Sequence, residues 1–167
     1  MRAMERELLV MRHGKSVWDT EYATDSERPL ATRGKKAAER MGQVLVDEDL
    51  IPDAVLTSSA VRAVETARRV VRKLPGVEAV EDERLYAAGV ADMLGVLREQ
   101  PPEVRRVLLI GHNPGMEELV AELTGRVDVL LKTCSLAVVR LRGPSWDEAL
   151  QSKGQFAGLY NPRELEG

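Results

Sequence analysis

The sequence predicts an α/β fold, a three-layer α/β/α sandwich around a central, mostly parallel sheet. Two observations predict it. Leu8-Leu9-Val10-Met11 and Val107-Leu108-Leu109-Ile110 are unbroken apolar runs, the pattern of strands buried on both faces by covering helices. Around these runs, stretches with apolar residues at helical spacing alternate with short strand-like stretches along the chain, as such a sandwich requires. The 167 residues fit one domain, 1–167, large enough to bury roughly two-thirds of its unfolded surface.

The first strand runs into Arg12-His13-Gly14, where Gly14 suits a turn with positive φ. Residues 15–29, with Trp18, Asp19, Glu21, Asp25, Glu27 and Arg28, read as a polar loop. Residues 32–45 have helical spacing with Thr32 as N-cap. After Ile51-Pro52-Asp53, the run Ala54-Val55-Leu56-Thr57 reads as the second strand, and Ser58-Ser59 as turn and cap chemistry. Residues 60–73 predict an amphipathic helix with Val61, Val64, Ala67 and Val71 turned inward. Pro75-Gly76 marks a turn and 77–80 a short edge strand. Residues 90–99 read as a helix with Met93, Leu94 and Leu97 inward, stopped by Pro101-Pro102. The strand 106–110 delivers Gly111-His112, Asn113-Pro114-Gly115 opens a helix over 116–124, and Gly125 closes it. A strand over 135–141, a turn at Gly143-Pro144-Ser145 and a final strand over 155–160 complete the chain.

Bulk properties exclude several classes. A net charge of −3 and a pI near 5.6 argue against a general nucleic-acid binder. The basic cluster Arg68-Arg69-Val70-Val71-Arg72-Lys73 reads as a solvated helix face that could dock an acidic partner. No run approaches the ~20 apolar residues of a membrane span. The charged start, Met1 to Glu7, precedes too short an apolar run for a signal peptide. The single Cys134 excludes an internal disulfide and suits a reducing cytosol, so a cytoplasmic protein with no membrane contact is expected. No His and Cys cluster has metal-ligand spacing, and no Gly-rich nucleotide fingerprint is present. No metal or cofactor is expected.

The chain has two histidines, and both stand at strand exits, His13 after the first apolar run and His112 after Gly111. Parallel sheets place their chemistry past the carboxyl ends of their strands. The second strand exits toward Arg62, in the first turn of the helix after it. Arg12, His13, Arg62 and His112 would then form a cationic pocket with little local counter-charge. Fixed cations around one nucleophilic nitrogen are what phosphoryl transfer needs, because guanidinium groups neutralise the oxygens that repel a nucleophile.

Arg12-His13-Gly14, the segment Ser58-Ser59-Ala60-Val61-Arg62-Ala63-Val64-Glu65-Thr66 and Gly111-His112-Asn113-Pro114-Gly115 together resemble the histidine phosphatase superfamily, with its phosphoglycerate mutase-like fold. Arg28-Pro29-Leu30-Ala31-Thr32-Arg33-Gly34, Leu85-Tyr86 and the compact length are similar to its small SixA-type phosphohistidine phosphatase branch. The resemblance spans roughly 8–141. It implies that His13 is the nucleophile, carrying the phosphoryl group as a covalent phosphohistidine, with Nδ1–H held by a backbone carbonyl near Gly14. Arg12, Arg62 and His112 would bind the phosphate oxygens. Arg28 matches a further phosphate-pocket arginine of this branch, or else is a turn residue before Pro29.

Many superfamily members carry an acidic proton donor where this chain has Asp82-Glu83-Arg84-Leu85-Tyr86-Ala87-Ala88-Gly89, with Ala87 near its place. Glu83, or Asp25 in the first loop, could supply a proton instead. Without such an acid, N–P cleavage is favoured over ester cleavage, because imidazole leaves more readily than an alkoxide. Short loops suggest an open site with Trp18 as its lip or as a plug in the loop. The expected partner is a phosphorylated protein, a histidine phosphotransfer domain being one candidate, or a phosphorylated small molecule. Two other readings stand beside this one. One is a broad phosphomonoesterase on small molecules or phosphoserine and phosphothreonine. The other is a non-catalytic module that binds phosphate or a phosphoprotein.

Overall fold

The computed structural model describes residues 4–18 and 24–162, so Asp19, Glu21 and the segment Met1 to Ala3 lie outside the described residues. In the strand Glu5–Arg12 (β1), Leu8 and Val10 enter one apolar cluster while Leu9 and Met11 enter the other, all four fully buried. Five further strands complete one sheet: Ala54–Ser58 (β2), Ala79–Asp82 (β3), Arg106–Gly111 (β4), Leu136–Arg142 (β5) and Gln155–Tyr160 (β6). Their order is β3-β2-β4-β1-β5-β6. The first four strands run parallel, and β5 and β6 add antiparallel pairs at one side.

The helices Thr32–Asp47 (α1) and Val61–Val71 (α2) cover one face through Met41, Leu45, Ala67 and Val70. Val90–Arg98 (α3), Gly115–Thr124 (α4) and Trp146–Gln151 (α5) cover the other through Leu97, Leu119 and Trp146. The three layers and the mostly parallel sheet are as the sequence predicts.

Several local expectations need correction. Helix α1 begins at Thr32 itself; Ala31 holds the cap position and no side chain caps it. The inward face of α2 is Arg62, Ala63, Thr66, Ala67 and Val70, while Val61 is exposed. A buried arginine and a buried threonine rotate the face away from Val61 and Val64. The edge strand starts at Ala79 rather than at residue 77. Helix α5 has no counterpart in the sequence reading; Ser145 caps it by accepting a hydrogen bond from Glu148 N–H at 3.1 Å. β1 starts three residues before the apolar run because Arg6 is buried. Its guanidinium donates to the carbonyls of Pro102, Val104, Gly143 and Pro144 at 2.7–3.1 Å, so burial leaves those donors partnered.

Gly14 has no positive φ. A Cβ there would stand 2.9 Å from Leu30 Cδ1 and 3.1 Å from both Cys134 Sγ and the Gly34 carbonyl. Gly34 is tighter still, with its Cβ position falling against the Lys15 carbonyl. These glycines let α1 pack directly against the chain that leaves β1.

Candidate active site

Strand register brings the two histidines together. Arg12 pairs with Gly111 across β1 and β4, so His13 and His112 leave adjacent strands side by side, with ring centroids 5.1 Å apart. β2 flanks β4 with Thr57 opposite Ile110, which sets Ser58 beside His112. Arg62, in the first turn of α2, reaches both rings. Its Nε lies 3.3 Å from His13 Nε2 and its Nη2 3.4 Å from His112 Nδ1.

His13 is held as a neutral imidazole with one ring nitrogen unprotonated. Its Nδ1 lies 2.7 Å from the Gly14 carbonyl, which can only accept, so Nδ1 carries the proton and Nε2 keeps its lone pair. Burial, opposed by that carbonyl and reinforced by His112, Arg62 and Arg12, lowers its pKa to about 3. The loop is held by Thr66, whose Oγ1 accepts from Gly14 N–H at 3.0 Å and donates to the Arg62 carbonyl at 2.7 Å. Cys134 N–H bonds the carbonyls of Arg12 and His13 from beneath. Burial pushes the Cys134 thiol up to about 12, so it is no competing nucleophile.

His112 has a partner that sequence reasoning missed. Because Arg62 only donates, His112 Nδ1 accepts and Nε2–H donates to Ser58 Oγ, 2.8 Å away. Ser58 is fully buried, and its Oγ also accepts from Ala60 N–H. Its position at the end of a short apolar run is the one signal the sequence offers. Ser58→Ala is expected to lower kcat about tenfold, through loss of ring orientation, with a smaller change in KM. Steady-state kinetics beside a His112→Ala control check this, and an unchanged kcat would remove Ser58 from the site.

The pocket is a cavity of about 400 Å³ walled by Arg12, His13, Arg28, Arg62 and His112, with Trp18 at its edge. Arg28 faces the pocket: it donates to Ser16 Oγ and stacks on Trp18, its Cζ 3.6 Å from the ring centroid. Trp18 is 77% exposed, a lip rather than a plug. Among the described residues, the Nε–H groups of Arg12 and Arg28 are buried without a partner. Buried unpaired donors are costly, and an oxyanion in this pocket is the kind of ligand that would offset that cost.

The expected lack of counter-charge is corrected by Asp25. Its Oδ2 accepts from Arg62 Nη2 at 2.9 Å and from Tyr86 Oη at 2.8 Å, and its Oδ1 from Arg28 at 3.3 Å. The Asp25 carbonyl takes Arg62 Nη1 at 2.9 Å. The Tyr86 hydroxyl, Arg62 and Arg28 hold its carboxyl down at about 2. It is therefore a carboxylate at neutral pH and has no proton to give. Glu83 lies exposed in a 3₁₀ turn, Glu83–Leu85, and lines neither cavity beside the histidines. That separates it from the reacting groups.

A second cavity, about 390 Å³, adjoins His112 and Arg62 and is walled by Leu85, Tyr86, Ala87 and Pro114. Its carboxylates are Asp25 and, at the exposed rim, Glu118. Among the described residues no group of three or more His, Cys, Asp or Glu side chains could hold a metal ion. Among them, too, no helix is long and apolar enough to cross a membrane.

Burial, the first cause for both rings, also lowers the His112 pKa, to about 4. The unfolded chain takes up protons on both imidazoles below about pH 6.5, and the native state does not until about pH 4 and 3. Stability is therefore full above pH 7 and falls with acidification from 6.5 toward 4. At pH 5 each histidine costs the native state on the order of 2 kcal/mol. Denaturant melts at pH 7 and 5 check the loss. Ring NMR at pH 5 should show both imidazoles neutral; titration of either near 6.5 would refute this.

Comparison with known proteins gives the family. The model of the histidine phosphatase superfamily (branch 1) matches residues 8–135. Phosphohistidine phosphatase SixA of Escherichia coli strain K12 is 32% identical over 164 residues, 96% of each chain. A solved structure of the protein histidine phosphatase SixA complexed with tungstate superposes with a TM-score of 0.82 at 30% identity, covering 96% of this chain and 99% of that one. A mycobacterial glucosyl-3-phosphoglycerate phosphatase shares the fold, with a TM-score of 0.70 at 16% identity over 91% of this chain and 97% of its own. With two histidines and Arg62 converging at the strand ends and the family model running from the first strand to the start of β5, the chain belongs to the histidine phosphatase superfamily, branch 1.

Proposed function

We propose that this chain is a phosphohistidine phosphatase acting on a phosphorylated protein, with His13 as its covalent nucleophile. The observation that carries the reading is the state of His13: neutral, with Nε2 unprotonated and aimed at Arg62 in a cavity walled by cations. Nε2 attacks phosphorus; the substrate's N–P bond breaks, and the departing imidazole keeps the electron pair and takes a proton. Water then attacks the phosphoryl group on His13; the Nε2–P bond breaks with its electron pair returning to the ring, and phosphate leaves while the proton lost by the water passes to solvent. Arg12, Arg28 and Arg62 stabilise the equatorial oxygens. His112 Nδ1 faces the same space and contributes a hydrogen bond once an anion raises its affinity for a proton.

The wall beside the leaving group supports N–P over O–P cleavage. Ala87 stands there, Asp25 is ionised, and Tyr86 is committed to Asp25. One observation favours a phosphomonoesterase as a second reading: Glu118 at the rim could protonate an alkoxide. The test is phosphate release, in chelator, from a phosphohistidine-bearing protein and from a phosphoserine peptide. Release from the first alone supports the proposal. Comparable release from both, with the ester activity lost in Glu118→Gln, replaces it by the second reading.

A further inference from the structure

The phosphoryl cavity adjoins a third cavity of about 490 Å³, and the two share Arg12, Lys15 and Thr133. Six of its eleven lining residues are cationic. Arg33, Lys36 and Arg40 come from α1, Lys132 from the chain before β5, and Arg12 and Lys15 from the chain leaving β1; among the described residues no Asp or Glu lines it. This concentration occurs on a chain whose net charge is −3, so it is a local arrangement rather than a general basicity.

The side chains of Lys15, Arg33, Lys36 and Lys132 are exposed, and two further features mark them. Among the described residues Lys15, Arg33, Lys36 and Lys132 form no ion pair, while Arg69 and Arg72 of the neighbouring helix both pair with Glu39. Arg33 and Lys36 also lie at the start of α1, whose first turn contains no acidic residue. Cations at a helix N-terminus oppose the helix dipole, which favours anions there by roughly 0.3–1 kcal/mol. Arg33 and Lys36 therefore face an unfavourable dipole, and among the described residues none of Lys15, Arg33, Lys36 and Lys132 has an ion-pair partner. A bound anion relieves both.

We propose that this cavity is a second anion subsite, taking a phosphate or carboxylate carried by the same substrate whose phosphoryl group sits against His13. It rests on the proposed function only in assuming that one substrate spans both cavities. Arg12 forms the shared wall; its Nη1 is anchored on the Leu131 carbonyl at 3.1 Å and its buried Nε has no partner. On the opposite side of the histidines the cavity under Tyr86 and Pro114 is mostly apolar. The substrate is thereby read asymmetrically, with its acidic side toward α1. Either an acidic residue flanking the phosphorylated side chain or a second phosphate of a small molecule has this chemistry.

The test measures binding with non-hydrolysable ligands, so that turnover does not enter. Calorimetry would compare an alkyl phosphonate with ethane- to hexane-bisphosphonates, and phosphotriazolylalanine peptides with neutral or acidic flanks. Each would be run on wild type and on Lys36→Ala/Lys132→Ala. The second anion is expected to tighten binding about tenfold at low salt, from several exposed charge pairs. That gain should vanish in the double variant and in about 0.5 M salt, while the simple phosphonate binds both proteins alike. A gain confined to acidic peptides assigns a protein ligand, and one confined to bisphosphonates a small molecule. No gain from either, or a gain that survives the double variant, overturns the subsite. Failure to release phosphate from a phosphohistidine protein would refute the proposed function and leave these ratios standing.

Discussion

His13→Ala is expected to lower phosphate release by at least about 10⁴-fold, the largest effect of any single substitution here. The remaining cations can still bind and polarise a phosphoryl group, but no other imidazole or thiol among the described residues is free to attack it. His112 offers Nδ1 to Arg62 and Nε2–H to Ser58, and the Cys134 thiol is buried and protonated. The loss should fall on kcat, because Arg12, Arg28 and Arg62 remain to hold the anion. Rapid alkaline quenching with labelled substrate should trap a phosphoryl group on the wild-type chain and none on the variant. The substitution also removes one of the two acid-sensitive imidazoles, so between pH 7 and 5 the variant should lose less stability than wild type. Full labelling of His13→Ala would move the nucleophile elsewhere and break the mechanism.

The sequence carries much of this site because both histidines sit at the ends of its most legible elements. An unbroken apolar run can only be a doubly covered strand or a buried helix, and both runs are strand length. Arg12-His13 and His112, just past those runs, are therefore placed at a sheet edge by local pattern alone. That the two rings touch depends on β1 pairing with β4 rather than with β2, a non-local choice no local pattern encodes. The face of α2 escapes the pattern for a related reason. Arg62 and Thr66 occupy inward positions because they serve the histidine loop, and a hydrophobicity pattern assigns such residues to solvent. Arg6 is the same case at the other end of the sheet. Asp25 and Tyr86 lie 61 residues apart yet share a hydrogen bond; neither carries a local mark of it. Helix α5 is invisible in the sequence because six residues, half of them polar, carry too little periodicity to register.

Arg62→Ala and Asp25→Asn are expected to act in opposite directions on anion binding, which identifies what Asp25 is for. Arg62 is nearly saturated as it stands: Nε faces His13, Nη1 the Asp25 carbonyl, and Nη2 the Asp25 carboxylate and His112. Removing it deletes a preorganised donor to the developing charge and leaves Asp25 facing the site with less compensation. Loss of one such donor costs about 10²–10³ in kcat, and the repulsion from Asp25 adds a loss in KM. Asp25→Asn keeps the shape and removes the negative charge that a phosphate must displace or share. Tungstate and inorganic phosphate should then bind several-fold more tightly, with the difference shrinking as salt rises. Turnover should not rise with that gain, because the neutral amide holds Arg62 and Tyr86 less firmly and product phosphate leaves more slowly. In the double variant, the Asp25 substitution should recover part of the KM lost with Arg62 and none of the kcat. Additive effects across that cycle would mean that Asp25 does not act through Arg62. Weaker tungstate binding in Asp25→Asn would make the carboxylate a support for the arginines and not a competitor for them.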